Sequence, residues 1–220
     1  MTCVLHHDGQ AVTAIEAGFQ RYTLQTCPGA SKPIEALVGM RIDTTTKELF
    51  ANGRARQNCT HMLDLAWLAM RHAGRGDVEW IYDVEIPDAV SGPLHGTLNR
   101  NGSIVQNWQV DDHLIKAPVH LAGQSVGGGL SRWLIDTSGL SELEIEECLI
   151  LAKGFFMVGA RRFKMAEGPL SQSYREAVTG VCYGYAAERI DIAVNQSGMG
   201  RDFSQARDQL LENLYAPPKE

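Results

Sequence analysis

The chain has 220 residues, of which 44% are hydrophobic and 21% charged, and its formal net charge is −6. That length supports one large domain or two small units with sizeable cores. The acidic balance argues against nucleic acid or an anionic membrane as main partner, since either selects a basic face. No run of about 18 apolar residues offers a transmembrane helix. The opening "MTCVLHHDGQ" lacks the basic and apolar regions of a signal peptide.

In chain order, "CVLHHDGQAVTAIEA" places Asp8-Gly9 between two short apolar runs. This predicts a hairpin with a two-residue turn, its second strand running on towards Phe19, Tyr22 and Leu24. "TCPGASKPIEALVG" reads as a loop and a short helix, with Pro33 in its first turn. "DTTTKELFANG" reads as another short helix, stopped at Asn52-Gly53. A long helix follows over "NCTHMLDLAWLAMRHA", from Asn58 to Ala73, and ends at Gly74-Arg75-Gly76. That glycine pair marks a boundary. Residues 1–75 are expected as an N-terminal α/β subdomain and residues 76–215 as a C-terminal α+β subdomain, with 216–220 as a tail.

The second half changes character. "VEWIYDVEIP" alternates, so Val78, Trp80, Tyr82, Val84 and Ile86 share one strand face. "LHGTLNRNGSIVQNWQV" is a second hairpin with Asn101-Gly102 at its tip. Together they predict a three-stranded antiparallel meander. "LAGQSVGGGLSRWLID" is a glycine-rich loop entering a short helix. "SELEIEECLILAKGFFMVGARRF" is a long helix over 141–163. Ser141 and Glu144 form its capping box, and Arg161 and Arg162 suit its negative end. A last helix is expected from Phe203 to Tyr215. The fold class is therefore α+β, a small N-terminal hairpin-plus-helices followed by a meander packed on a long helix.

On the 58–73 helix, His61, Asp64, Arg71 and His72 fall within an arc of roughly 100°. The remaining surface is apolar. Such a stripe either faces water or lines a pocket. In a pocket, Asp64 can orient His61 and hold its tautomer, while Arg71 receives an anionic group. Cys59 stands at the helix start, where the dipole favours a thiolate, although a small buried hydrophobe is the plainer reading. Cys27 heads a loop, and with Cys59 it is a candidate metal ligand. Arg132 and Trp133 supply a cation and a flat wall, and Trp67 and Tyr183 are further wall candidates. The five cysteines are Cys3, Cys27, Cys59, Cys148 and Cys182. Their odd number and wide spacing predict reduced thiols and a cytoplasmic location.

Two resemblances follow from these residues. "PIEALVGMRIDTTTKELFANGRARQNCTHMLDL" resembles part of the domain-of-unknown-function 2889 family, which carries a similar "LVG" segment and then "GCTHL". Here Asn58 replaces the usual Gly and Met62 the usual Leu. The similarity reaches roughly residues 8 to 73, and the family's usual first half is not matched. The order of hairpin, cysteine loop and cysteine-headed helix is similar to NifU-like iron–sulfur scaffold proteins. That layout implies Cys27 and Cys59 as ligands of an iron–sulfur cluster or of zinc.

Relatives of the first kind look at home in bacteria that degrade aromatic or steroidal compounds. The resemblance thus implies a small aromatic substrate. The expected function is a cofactor-independent C–C lyase acting on an aromatic catabolic intermediate, releasing formaldehyde for example. His61 is the base, Asp64 orients it, and Arg71 or Arg132 stabilises negative charge. Trp67, Arg132, Trp133 and Tyr183 contact the substrate. The alternatives are a metal scaffold on Cys27 and Cys59, and a non-catalytic small-molecule-binding or partner subunit. A homodimer is expected in each case.

Overall fold

The computed structural model describes residues 1–76, 78–89, 91–160, 167–196 and 205. The protein is α+β. It divides into two compact units, one made of Met1–Gly76 with Met165–Glu220, the other of Asp77–Lys164. The predicted boundary near Gly76 is where the chain changes unit. The predicted continuity of 76–215 is not found, because the segment from Met165 groups with the first unit.

The first unit opens with the hairpin of β1 (Thr2–His7) and β2 (Val12–Gly18). Cys3, Leu5, Ile15 and Ala17 share its partly buried face, while Val4, His6 and Glu16 point to solvent. The turn takes four residues rather than two. Asp8 Oδ1 accepts the backbone N–H groups of Gln10 and Ala11, both at 2.8 Å. An aspartate side chain thus closes the turn where a two-residue loop was expected. β2 ends at Gly18, short of the expected run to Leu24.

Two 3-10 turns follow, Cys27–Ser31 and Pro33–Leu37, each with proline at its start. α1 (Thr46–Leu49) is held by a reciprocal box between Thr45 and Glu48. Asn52 and Gly53, both at positive φ, turn the chain into α2 (Arg54–Gln57). Cys59 is the N-cap of α3 (Thr60–Ala73), which begins two residues after Asn58, the predicted start. Met62, Leu63, Ala66, Trp67 and Met70 form its buried face, and the helix packs on β1. Their spacing of three and four is that of an amphipathic helix.

The second unit is a four-stranded antiparallel meander in the order β3 (Tyr82–Glu85), β4 (Leu94–Arg100), β5 (Ser103–Asp111), β6 (Leu114–Ala117). The expectation of three strands missed β6. Its turn is Asp112-His113, both at positive φ, a role usually given to Asn-Gly. α4 (Leu130–Asp136) follows the glycine-rich loop, and α5 (Glu142–Ala160) packs against β3, β4 and β5. Leu98, Trp108, Ile115, Cys148, Leu151 and Phe155 are among the side chains that fill the core. Trp108 and Phe155 stack with centroids 6.1 Å apart. A Cβ at Gly96 would lie 2.6 Å from the Phe155 ring, and one at Gly154 would lie 2.6 Å from Val84. Helix and sheet approach closely because both positions lack a side chain.

The chain then returns to the first unit. β7 (Gly168–Pro169) pairs with β8 (Val194–Asn195), and α6 (Gln172–Val178) lies between them in sequence. Leu170, Ile190 and Ala193 bury Leu24. The Gln25 N–H donates to Val194 O at 3.0 Å, and the Gln196 N–H to Thr23 O at 2.8 Å. The expected helix over 203–215, the 216–220 tail and the Arg161–Arg162 pair lie outside the described residues. Among the described residues, no helix is long and apolar enough to cross a membrane.

Candidate cleft and thiol cluster of the first unit

The return segment meets the N-terminal segment around Tyr183. The Tyr183 N–H donates to Asn58 O at 2.9 Å. Asn58 is itself buried, with its side-chain amide donating to Arg54 O at 2.9 Å. On the other side, Gly29 faces the Tyr183 ring so closely that an added Cβ would lie 2.7 Å from the phenol oxygen. The Arg189 guanidinium stacks 3.9 Å from the ring centroid and pairs with Glu188 at 2.6 Å. The cation–π contact and the ion pair together fix the orientation of the phenol.

Beside this ring lies an open cleft of about 540 Å³. Pro33 comes from the second 3-10 turn, Arg56 and Gln57 from α2. Gly180, Tyr183 and the run 186–189 come from the return segment. The volume falls within the range of about 300–1,000 Å³ typical of small-molecule sites. Tyr183, Pro33, Ala186 and Ala187 give it apolar walls, and Arg56, Gln57, Glu188 and Arg189 give it polar groups.

The same unit holds a group of three thiols. Cys27, Cys59 and Cys182 come from three separate stretches of chain, yet each is within electrostatic reach of another. Burial pushes the Cys27 and Cys59 thiols above the usual range. At Cys59 the N–H groups of Met62 and His61 pull the other way, as the helix start predicts, but desolvation is the larger effect. Of the two readings of Cys59, the buried, packed thiol is the one that agrees with its burial and raised pKa. Tyr185, next to this group, is raised by burial and by its bond to Tyr174. Among the described residues, no three His, Cys, Asp or Glu side chains are arranged to hold a metal.

The other predicted site residues are dispersed. His61, Asp64, Arg71 and His72 do share one face of α3, and all four are half-buried and engaged by neighbouring groups. None of them lines the cleft. Trp67 is buried in the core, its indole N–H donating to Thr46 Oγ1 at 3.2 Å and its ring edge-on to Phe50. It is a packing residue rather than an exposed wall. Arg132 and Trp133 belong to α4 of the second unit, where Arg132 is exposed and Trp133 packs against that unit's core. Of the four residues expected to contact substrate, Tyr183 is the one in the cleft wall. Sequence reasoning missed Arg56, Gln57, Glu188 and Arg189. They sit in short segments whose juxtaposition only the return of the chain creates.

No protein-family model, curated protein or solved structure matches the chain.

Proposed function

We propose that the protein binds a small aromatic molecule in the cleft beside Tyr183. The observation that carries this reading is the Tyr183 ring, fixed by Arg189 and by the absence of a side chain at Gly29, at the wall of a cleft of about 540 Å³. A rigid aromatic wall with a few polar groups at its rim is the usual composition of a small-molecule site. Titration calorimetry against a panel of hydroxylated and methoxylated aromatic compounds tests it. Replacing Tyr183 by Leu should weaken binding by roughly two- to tenfold, since an aromatic pair contributes about 0.5–1.5 kcal/mol beyond its area. Unchanged affinity in Tyr183→Leu would remove the cleft from the account.

Turnover is a second reading. The half-buried face of α3 favours it, because His61, Asp64 and Arg71 stand partly withdrawn from solvent on one side of one helix. On this reading the protein is a C–C lyase releasing formaldehyde from an aromatic substrate, with His61 as base. A formaldehyde-trapping assay over the same panel checks it. Because His61 does not line the cleft, this reading places the reacting group at the α3 face, and His61→Ala should abolish release there while leaving binding in the cleft intact. A panel that binds without releasing formaldehyde leaves a binding protein. The scaffold alternative gains less support, since among the described residues no three His, Cys, Asp or Glu side chains are arranged to hold a metal.

A further inference from the structure

The cleft is asymmetric in its polar groups. Arg189 is committed twice, to the Tyr183 face and to Glu188. Arg56 and Gln57 stand next to each other on α2 at the cleft margin, and among the described residues neither side chain has a hydrogen bond or ion pair. Tyr183, Ala186 and Ala187 contribute a ring and two methyl groups. One part of the cleft thus offers uncommitted donors and another an apolar wall. With two arginines against one glutamate, the lining carries a net positive charge in a chain whose overall charge is −6.

We infer that the ligand of this cleft is an aromatic carboxylate, its anionic group received by Arg56 and Gln57 and its ring laid along Tyr183. This rests on the reading of the cleft as an aromatic-binding site and names the ligand's charge. A guanidinium presents two parallel N–H groups that match the two carboxylate oxygens. Because Arg56 has no partner to give up among the described residues, the carboxylate gains the pairing without breaking another there. Gln57 donates a further N–H from its amide.

The test uses a matched pair of probes, 4-hydroxybenzoate and its methyl ester, which share the ring and differ in charge. Titration calorimetry on the full chain should show the carboxylate binding at least tenfold more tightly than the ester. Arg56→Gln should bring the two to equal affinity, and Arg56→Lys should keep part of the preference. The advantage should also shrink as ionic strength rises. Arg56 is exposed, so neither variant threatens the fold; circular dichroism confirms this. If the ester binds as tightly as the acid, or if Arg56→Gln keeps the preference, the carboxylate assignment is wrong and the aromatic cleft stands. If neither probe binds, both fall.

Discussion

At the scale of single residues, Gly29 and Tyr183 make the sharpest pair. An alanine at 29 puts its Cβ where the phenol oxygen now lies. The phenol must shift to make room, and the Arg189 guanidinium stacked on it shifts with it. Gly29→Ala should therefore weaken ligand binding several-fold while changing the melting temperature little, since the displaced group is the far end of a side chain. Parallel calorimetric titration and thermal melts separate the two effects. An unaltered affinity would show that the ring position does not matter to the ligand. Cys59 carries the complementary lesson. Its place at a helix start was legible in the sequence, and so was the plainer reading of a small buried hydrophobe, but the size of the two opposed effects was not. Helix-end stabilisation of a thiolate is a local effect. The burial that overrides it comes from distant chain.

At the scale of elements, the Ser141–Glu144 capping box was the most legible feature. Ser141 N–H and Oγ–H donate to Glu144 Oε2 at 2.8 and 2.6 Å, and Glu144 N–H returns a bond to Ser141 Oγ at 3.3 Å. The side-chain bond and then the backbone bond from Ser141 hold the Glu144 carboxyl below the usual range. A carboxyl lowered in the folded state stabilises the fold above its unfolded pKa, and that contribution disappears as pH falls through the folded value. Ser141→Ala should cost about 1 kcal/mol at neutral pH. The gap between wild type and variant should narrow as pH falls below roughly 4. Urea unfolding at pH 7 and pH 3 measures it, and a gap independent of pH would mean that the carboxylate adds nothing. The Asn101-Gly102 hairpin was equally plain, because Asn-Gly accepts positive φ at both turn positions at little steric cost. Asp112-His113 makes the same kind of turn without the usual residues, so β6 left no signal. α6 is capped by Ser171 but has only two turns, too few for a period to declare itself.

At the scale of the whole molecule, the sequence conveys the α+β class and the change of character at Gly76. Nothing local says that residues beyond 164 rejoin the first unit. That pairing depends on Leu24 finding Leu170, Ile190 and Ala193, contacts about 150 residues apart whose cost is loop closure and whose reward is apolar burial. The cleft inherits this illegibility, since one side comes from α2 and the other from the return segment. A chain ended after residue 166 should keep the second unit's sheet and lose the first unit's stability. Hydrogen exchange read by mass spectrometry should show amides of β1 and α3 losing protection while β4 and β5 retain it. Equal protection in both would mean that the return segment is an accessory. The divided first unit also sets an order of events during synthesis. Residues 77–164 leave the ribosome as one uninterrupted stretch and can fold as soon as they emerge. The first unit must wait for residues 167–196, holding its early hairpin and α3 incomplete in the meantime. The cleft beside Tyr183 is therefore among the last parts of the molecule to exist, and a nascent chain stalled before residue 167 lacks one of its sides.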